Sequence, residues 1–543
     1  MRSLKGQAGV VLIAWIFLIS LHWQNDGLWF QGDAPRHAAN GIFWKDFLLS
    51  GSLNPQQYAL AYYARYPVIT PAAYPPAFYI LEGIAFGIFH PSPYLAKFLV
   101  QLYVLAAAFY LLAWMRRWIG AEAGWSAALL LLLPGVVRYS HAIMLNIPAT
   151  ALSIAALYHA RRWLEGPPGS PAHRQLYLTA IFSSLAILTY FPAGIVVPVL
   201  LTWLLFFRRW DLLWSARPIA VGLICAAALW PWIWIALRWV PIHSSFVIAG
   251  HSKMWTASNW IAYAEMLPEL VNPYLLFISA LGIAAGMTSR RWRRESGILA
   301  LVLVTAYVAL SALTAKEARY GLLFCFPVVC FCGLVQYALS GWLTQGSRRW
   351  ARLSHAVPVA AGLSLVGAQA ILAAQTPVKR IEGIKEVVSY VEQAAPAEPV
   401  FYDGRYDGIF TFYLQSGDPD FQRGVVLGAK LLYASALNPM SRYRSFVDSA
   451  DDVVRTLQQR GGCRILAIES GAQSEEIPAA RLLREAVRGP HFELLRSFPI
   501  AGGGLERIDV YRFRLDPMPV DDVDLPFPGL GDNARFRVRP IQR

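Results

Sequence analysis

The run YLAKFLVQLYVLAAAFYLLAW at residues 94–114 decides the fold class of this sequence. A helix needs about 20 consecutive apolar residues to cross a bilayer core of about 30 Å, and this run reaches that length. Similar apolar runs lie on both sides of it, at residues 8–23, 77–89, 122–137, 143–158, 176–190, 193–207, 218–237, 271–287, 297–313, 320–340 and 356–374. The sequence therefore predicts a polytopic α-helical membrane protein.

Composition leads to the same class. Of the 543 residues, 56% are apolar and 15% are charged, whereas a soluble domain carries about 25% charged residues. These values exclude a disordered chain, a collagen-like repeat and an ordinary soluble enzyme. Residues 1–376 hold 26 basic and 11 acidic residues, against 22 and 23 in residues 377–543. Positive charge that lies among apolar runs indicates membrane topology, and no nucleic-acid partner is expected.

Basic residues predict which loops face the cytoplasm. Clusters flank the apolar runs at Arg2/Lys5, Arg116/Arg117, Arg161/Arg162/Arg174, Arg208/Arg209/Arg217, Arg290/Arg291/Arg293/Arg294 and Arg348/Arg349/Arg352. The positive-inside rule assigns these clusters to the cytoplasm. All of them fall on that side if three conditions hold. The N-terminus is cytoplasmic, run 77–89 does not span the membrane, and runs 176–190 and 193–207 form a hairpin. The resulting topology has eleven spans and a C-terminus on the outer side.

The first of these runs, 77–89, is too short to span. Its 13 residues make a helix about 20 Å long at 1.5 Å per residue, so we expect a helix that lies in the outer interface. The second case is the pair 176–190 and 193–207, which would be about 48 Å long as one helix. We expect a hairpin instead, turned near Tyr190–Gly194.

The chain is predicted to divide into a transmembrane catalytic module at residues 1–376 and an outer domain at residues 377–543. Ile381, Ile384, Val388 and Val391 recur at the spacing of a helix. Short strands are expected at Pro399–Tyr402, Arg464–Glu469 and Ile508–Arg514. These elements indicate a small α/β domain with a Pro-rich tail after Asp516.

The first outer loop contains the sequence WFQGDAPRH at residues 29–37. Asp33 in this loop is able to take a proton from an acceptor hydroxyl or amine. Arg36 either holds a lipid phosphate or pairs with Asp33, and His37 is a further candidate for the substrate cavity. A structural alternative is that Asp33 caps a helix whose first turn contains Pro35. The catalytic and the capping roles are compatible.

A second group of charges, Lys316, Glu317 and Arg319, follows a span on the outer side. The positive-inside rule disfavours basic residues there. An anionic partner such as a phosphate at the membrane surface explains them. The alternative is an internal pair of Arg319 with Glu317 or Asp33. Tyr320 is the adjoining cavity candidate.

Four more residues are candidates for the substrate cavity: Tyr74, Glu82, His141 and Asn146. Tyr74 precedes two prolines that break any helix before run 77–89. Glu82 is otherwise a snorkelling or solvated carboxylate, and an isolated histidine such as His141 usually has a structural role. The five cysteines form no CxxC pair, so no zinc site is expected.

Four motifs in order, W-F-x-G-D-A-P-R-H-A, Y-P-P-A-F-Y, M-L-N-I-P-A and K-E-A-R-Y-G-L-L-F, resemble those of the GT-C membrane glycosyltransferases. The similarity is to the protein O-mannosyltransferase-like and aminoarabinose–lipid A transferase branches, and it covers residues 8–375. It implies transfer of a sugar from a polyprenyl-phosphate donor to an acceptor outside the membrane, usually with inversion. It also implies that Asp33 is the catalytic base and that Arg36, Lys316 and Arg319 bind the donor phosphate.

The sequence departs from that family pattern at three positions. Ala34 stands where many relatives have Glu, Tyr74 where Lys or His is common, and Asn146 where an acid is common. A divalent metal is therefore not supported, because hard cations need several oxygen ligands, and no other cofactor is expected. Two alternatives remain open: a flippase of polyprenyl-linked sugars and a GT-C assembly subunit without catalysis. The expected location is a bacterial inner membrane, with the lipid bilayer, the sugar donor and an unidentified acceptor as partners.

Overall fold

The computed structural model describes residues 2–23, 27–28, 32–70, 74–166, 170–247, 255–313, 316–344, 356–434, 443–471, 477–504, 506–518, 522–526 and 535–542. Its first part consists of helices, and its last part combines short helices with a five-stranded sheet. This division agrees with the predicted fold class of apolar helices followed by an α/β region.

The helical part extends to residue 374. Its helices are α1 (Arg2–Ser20), α2 (Asp33–Ser50), α3 (Pro55–Arg65), α4 (Ala77–Phe89), α5 (Pro93–Trp114), α6 (Leu129–Leu132), α7 (Pro134–Ser140), α8 (Asn146–Glu165), α9 (Ser170–Thr189), α10 (Val196–Phe206), α11 (Trp210–Leu213), α12 (Ala216–Val247), α13 (Ala257–Leu270), α14 (Pro273–Thr288), α15 (Arg293–Ser311), α16 (Cys325–Thr344) and α17 (Ala356–Ala374). Tighter 3₁₀ turns lead into α6, α10 and α16 at Glu122–Ala128, Phe191–Ile195 and Ala318–Phe324.

The predicted count of eleven membrane spans is not confirmed by the apolar helices of the described residues. Within the described residues, five helical segments are long and apolar enough to cross a membrane, or up to seven if two bent pairs each form one span. The bent pairs are Glu122–Leu132 with Pro134–Ser140, at 49°, and Ala257–Leu270 with Pro273–Thr288, at 113°. Helices α8 and α9 do not qualify because polar residues such as Arg161, Arg162 and Arg174 lower their mean hydropathy. The count of eleven is therefore not confirmed.

The predicted short helix at residues 77–89 is present as α4 with those bounds. It packs closely on α2, and Gly83 makes the close approach possible. A Cβ atom on Gly83 would lie 2.7 Å from the Lys45 backbone nitrogen and 3.1 Å from the Gly41 oxygen. The chain also breaks between α9 and α10, at the position predicted for the turn near Tyr190.

The C-terminal α/β region contains a sheet in the order β2-β1-β5-β7-β6. Its strands are β1 (Val400–Asp403), β2 (Val425–Leu427), β5 (Ile465–Ser470), β6 (Phe492–Pro499) and β7 (Arg507–Phe513). Strands β1, β2 and β5 are parallel, and β7 and β6 continue the sheet antiparallel. The three predicted strands correspond to β1, β5 and β7, each within one residue at either end.

Short helices and two small hairpins complete this region. The helices are α18 (Ile384–Ala394), α19 (Asp407–Ser416), α20 (Gly428–Leu431), α21 (Ala450–Thr456) and α22 (Pro478–Ala486). The hairpins pair β3 (Tyr433–Ala434) with β4 (Arg444–Ser445) and β8 (Val523–Pro526) with β9 (Arg535–Val538). Helix α19 packs against α2, so the two parts of the chain meet beside the first residues of α2.

Candidate active site

Asp33 is the first residue of α2. The helix is preceded by Gly32, whose φ of +86° suits a glycine, and no side-chain capping bond forms at this end. The capping role considered for Asp33 is therefore not observed. Its carboxylate instead points to Arg319, at 3.2 Å.

Arg319 joins the first loop to the segment before α16. Its guanidinium contacts Asp33 and also Glu317, at 2.6 and 2.9 Å. The internal pairs considered for Arg319 are thus both present, and they are formed at once. The same contacts bring the two most informative charged motifs of the sequence into one site.

Three tyrosines from separate elements surround this pair. The rings of Tyr74 and Tyr190 stack with centroids 6.4 Å apart, and those of Tyr190 and Tyr320 lie 6.2 Å apart. Tyr74 also donates a hydrogen bond to Asp33. Tyr190 was not identified as a site residue from the sequence, where only its place in the turn was used. An aromatic residue at the break between two apolar runs was the available signal.

His37 lies one helical turn after Asp33 and is 2% exposed. Its Nδ1 is 2.6 Å from the Tyr79 hydroxyl, and Asn40 also hydrogen-bonds to that hydroxyl. Burial lowers the pKa of His37 to about 4, so the imidazole is neutral near pH 7.

The electrostatics of Asp33 favour its ionised form. Burial alone raises the pKa of the Asp33 carboxyl, but His37, Arg319, the Tyr74 hydrogen bond and Arg36 together outweigh burial and lower it. Asp33 is therefore ionised near pH 7, the state in which a carboxylate is able to accept a proton from a neutral nucleophile.

Arg36 has a different partner from the one the resemblance implied. Its Nη2 lies 3.3 Å from both carboxylate oxygens of Asp407, the first residue of α19. The Arg36 side chain remains 38% exposed. A role at the donor phosphate stays a prediction, and the observed contact ties α2 to the C-terminal region.

Lys316 faces the end of α15. Its ammonium donates hydrogen bonds to the carbonyls of Leu310, at 2.9 Å, Ser311, at 3.0 Å, and Leu313. Burial lowers the pKa of Lys316 to about 8. These contacts satisfy the last carbonyls of a helix, which gives Lys316 a structural function besides the predicted phosphate contact.

The remaining candidates lie in other contacts. Glu82 on α4 is completely buried, which contradicts the interpretation as a solvated or snorkelling carboxylate, because α2 covers it at Gly41. Within the described residues its oxygens have no hydrogen-bond partner, and burial raises its pKa. The ring nitrogens of His141 lie 2.8 Å from the carbonyl oxygens of Val137 and Leu21. His141 thus links α7 to the residue that follows α1. Asn146 is buried at the start of α8.

No group of three or more His, Cys, Asp or Glu residues is arranged to hold a metal ion in the described part of the chain. The groups that act on Asp33 or lie beside it are the guanidinium groups of Arg319 and Arg36, the imidazole of His37 and the phenol of Tyr74.

Comparison with known proteins adds to this geometry. Residues 10–248 match the family of dolichyl-phosphate-mannose-protein mannosyltransferases. The solved structure of ArnT from Cupriavidus metallidurans in the apo state superposes with a TM-score of 0.60 at 14% identity, over 95% of this chain and 99% of ArnT. The chain has the GT-C glycosyltransferase fold. Its predicted resemblance to that class is confirmed.

Two further GT-C structures support this fold. ArnT bound to undecaprenyl phosphate matches with a TM-score of 0.60 at 16% identity, over the same shares of both chains. The archaeal oligosaccharyltransferase AglB from Archaeoglobus fulgidus, in complex with an inhibitory peptide and a dolichol-phosphate, matches with 0.57 at 12% identity, over 85% of this chain and 69% of AglB. No curated protein sequence matches this chain.

Proposed function

We propose that the protein is an integral membrane glycosyltransferase that moves a sugar from a polyprenyl-phosphate donor to an acceptor on the outer face of the membrane. The observation that carries the proposal is the Asp33–Arg319 pair enclosed by Tyr74, Tyr190 and Tyr320. The match to the mannosyltransferase family supports it, as do solved GT-C structures that bind undecaprenyl phosphate or dolichol-phosphate.

Asp33 acts as general base in this proposal. The acceptor hydroxyl or amine attacks the anomeric carbon of the sugar, and its proton passes to the Asp33 carboxylate. The bond between the anomeric carbon and the phosphate oxygen breaks, and the polyprenyl phosphate leaves with the electron pair. A single displacement of this kind inverts the anomeric centre.

Arg319 stabilises the leaving phosphate. Before transfer its single positive charge is paired with two carboxylates, those of Asp33 and Glu317. Once Asp33 has taken the proton and become neutral, part of the charge on Arg319 is available to the phosphate that is gaining a negative charge. A cation fixed where charge develops lowers the barrier, because no reorganisation is needed at the moment of reaction. Arg36 and Lys316 are the secondary candidates for phosphate binding.

The topology proposed for this function has residues 1–376 as the membrane module and residues 377–543 as a periplasmic domain. The basic loops support a cytoplasmic N-terminus by the positive-inside rule. Helices α2 and α4 then lie at the outer surface, and a bacterial inner membrane is the proposed location. The site would be reached by both a membrane-borne donor and an acceptor outside the membrane.

The test is transfer from a set of radiolabelled polyprenyl-phosphate sugars in membranes that contain the full chain. Wild type is compared with Asp33→Asn, and Asp452→Asn serves as the matched control. Asp452 is an acid in the first turn of α21 that pairs with Arg455 at 3.2 Å. We expect label in a new acceptor for wild type and the control only. Movement of label between leaflets without any product would support a flippase, and full activity of Asp33→Asn would refute the base.

A further inference from the structure

We propose that Asp407 is a positioning residue of the active site, which holds Arg36 against the C-terminal α/β region and keeps this second guanidinium away from the Asp33 carboxylate. Its catalytic consequence rests on the function proposed above. The restraint on α2 is a property of the fold and does not depend on that function.

The contact joins two segments that are 371 residues apart in the chain. Arg36 and Asp33 lie in the first turn of α2, and Asp407 is the first residue of α19. The two helix ends are in close contact, since a Cβ atom on Gly408 would lie 3.2 Å from the Pro35 side chain. Asp407 also accepts a hydrogen bond from the Gly408 amide at 2.7 Å, which orients its carboxylate.

Asp407 is in turn held by the sheet. Glu469 on β5 accepts hydrogen bonds from the backbone amides of Arg405 and Tyr406, both at 2.8 Å. It also accepts one from the Tyr402 hydroxyl. The Glu469 carboxyl occupies the space that a side chain at position 404 would need, so the glycine there lets the carboxyl approach the turn. The turn from β1 to α19 is therefore fixed by the sheet, and this turn presents Asp407 to Arg36.

A chemical reason for the restraint is that two arginines flank one base. Arg319 already pairs with Asp33, and the charge of Arg36 also acts on that carboxylate. If Arg36 were released from Asp407, it would be free to pair with Asp33 as well. A carboxylate held by two guanidinium groups is a weaker proton acceptor, and its oxygens are less available to the acceptor nucleophile. Asp407 thus preserves both the charge balance and the access of Asp33.

The functional test compares kcat/KM in wild type, Asp407→Asn, Arg36→Gln and the double variant, with Asp407→Glu as the conservative change and Asp452→Asn as the control. We expect about a tenfold loss for Asp407→Asn, below the roughly hundredfold loss that a 1 Å displacement causes. In the Arg36→Gln background the same change should alter kcat/KM by less than twofold. Asp407→Glu and Asp452→Asn should stay within threefold of wild type. Equal losses from Asp407→Asn in both backgrounds would overturn the proposal.

Hydrogen exchange of the amides in residues 33–40 gives a readout that needs no activity. Asp407→Asn should speed exchange there, and Asp452→Asn should not. If wild type transfers no sugar but this exchange difference appears, the proposed function fails while the restraint stands. If wild type transfers sugar and neither exchange nor kcat/KM changes in Asp407→Asn, the function stands and the positioning role is refuted.

Discussion

Arg319→Gln is the most informative single change in the proposed mechanism. The variant keeps a polar side chain, shorter than that of arginine, and loses the charge that lies 3.2 Å from Asp33. Two unit charges at that distance attract by about 5 kcal/mol at an effective dielectric constant of about 20. Desolvation offsets part of this, and loss of one donor to a developing oxyanion costs about 2.7–4 kcal/mol. We therefore expect kcat to fall by about 10²–10³-fold.

The assay is the initial rate of sugar transfer at saturating donor, with wild type and Asp452→Asn measured in parallel. Arg319→Lys provides an intermediate step. The guanidinium reaches Asp33 through Nη2 and Glu317 through Nε, whereas a lysine has one nitrogen for both carboxylates, so we expect partial activity. A kcat for Arg319→Gln within threefold of wild type would refute the role of Arg319 at the leaving phosphate.

The pH profile of Arg319→Gln provides an independent check. Arg319 is among the groups that lower the pKa of Asp33, together with His37, the Tyr74 hydrogen bond and Arg36. Without Arg319 the pKa of Asp33 rises. Because the base must be ionised, activity is lost as the pH falls through this pKa, so the acid limb of the kcat profile should move to higher pH. An unchanged limb would mean that another group limits the rate in acid.

Two further changes test the structural framework. Gly83→Ala should destabilise the protein by about 1–3 kcal/mol through overpacking, because its Cβ would lie 2.7 Å from the Lys45 backbone nitrogen. Gly87→Ala is the control, because its Cβ would meet only the Lys45 side chain, at 3.8 Å. We expect Gly83→Ala to lower the thermal unfolding temperature and Gly87→Ala to leave it unchanged. Lys316→Gln should cost roughly 1 kcal/mol of stability by weakening the end of α15. A raised donor KM in Lys316→Gln would instead favour a phosphate contact.

Local pattern was sufficient for most of the fold. The bounds of α4 and the break near Tyr190 follow from the lengths of apolar runs and the position of prolines, which are properties of short segments. The strands β1, β5 and β7 follow from apolar stretches bounded by Gly, Asp and Pro. The span count does not follow, because an apolar run does not reveal how far its helix extends. Helix α8, for example, continues through Arg161 and Arg162.

The sequence predicts part of the candidate site because basic residues occur on the side of the membrane where they are disfavoured. The predicted topology puts Lys316 and Arg319 in an outer loop, where the positive-inside rule disfavours basic residues, and this anomaly indicates a functional role. Residues whose type is common at their position in a helix or loop cannot be recognised as site residues in this way. Asp407 is an acid at a helix start, and nothing near it in sequence shows that α19 meets α2 beside Arg36.

Burial rules out the alternative interpretation of Glu82 as a solvated or snorkelling carboxylate, whereas its place among the substrate-cavity candidates stays a prediction. Along α4 a carboxylate among apolar residues resembles one that reaches solvent at an interface. Whether Glu82 is exposed or buried depends on a second helix, because Gly41 and Gly83 let α2 approach closely enough to cover it. Such a contact is decided by tertiary packing and cannot be derived from periodicity within a single helix.

The three cations predicted to bind phosphate differ in whether their protein partner changes its charge when Asp33 is protonated. Lys316 is engaged by helix carbonyls and Arg36 by Asp407, and neither contact changes when a proton moves to Asp33. Arg319 is different because one of its two partners is the proposed base itself. In the proposed mechanism, proton transfer to Asp33 neutralises one of the two carboxylates beside Arg319 at the step in which the leaving phosphate acquires a negative charge. Glu317 keeps the guanidinium in place during this exchange. The proposed mechanism therefore couples base catalysis and leaving-group stabilisation through one side chain, and it predicts that Arg319 is less replaceable than the other two cations.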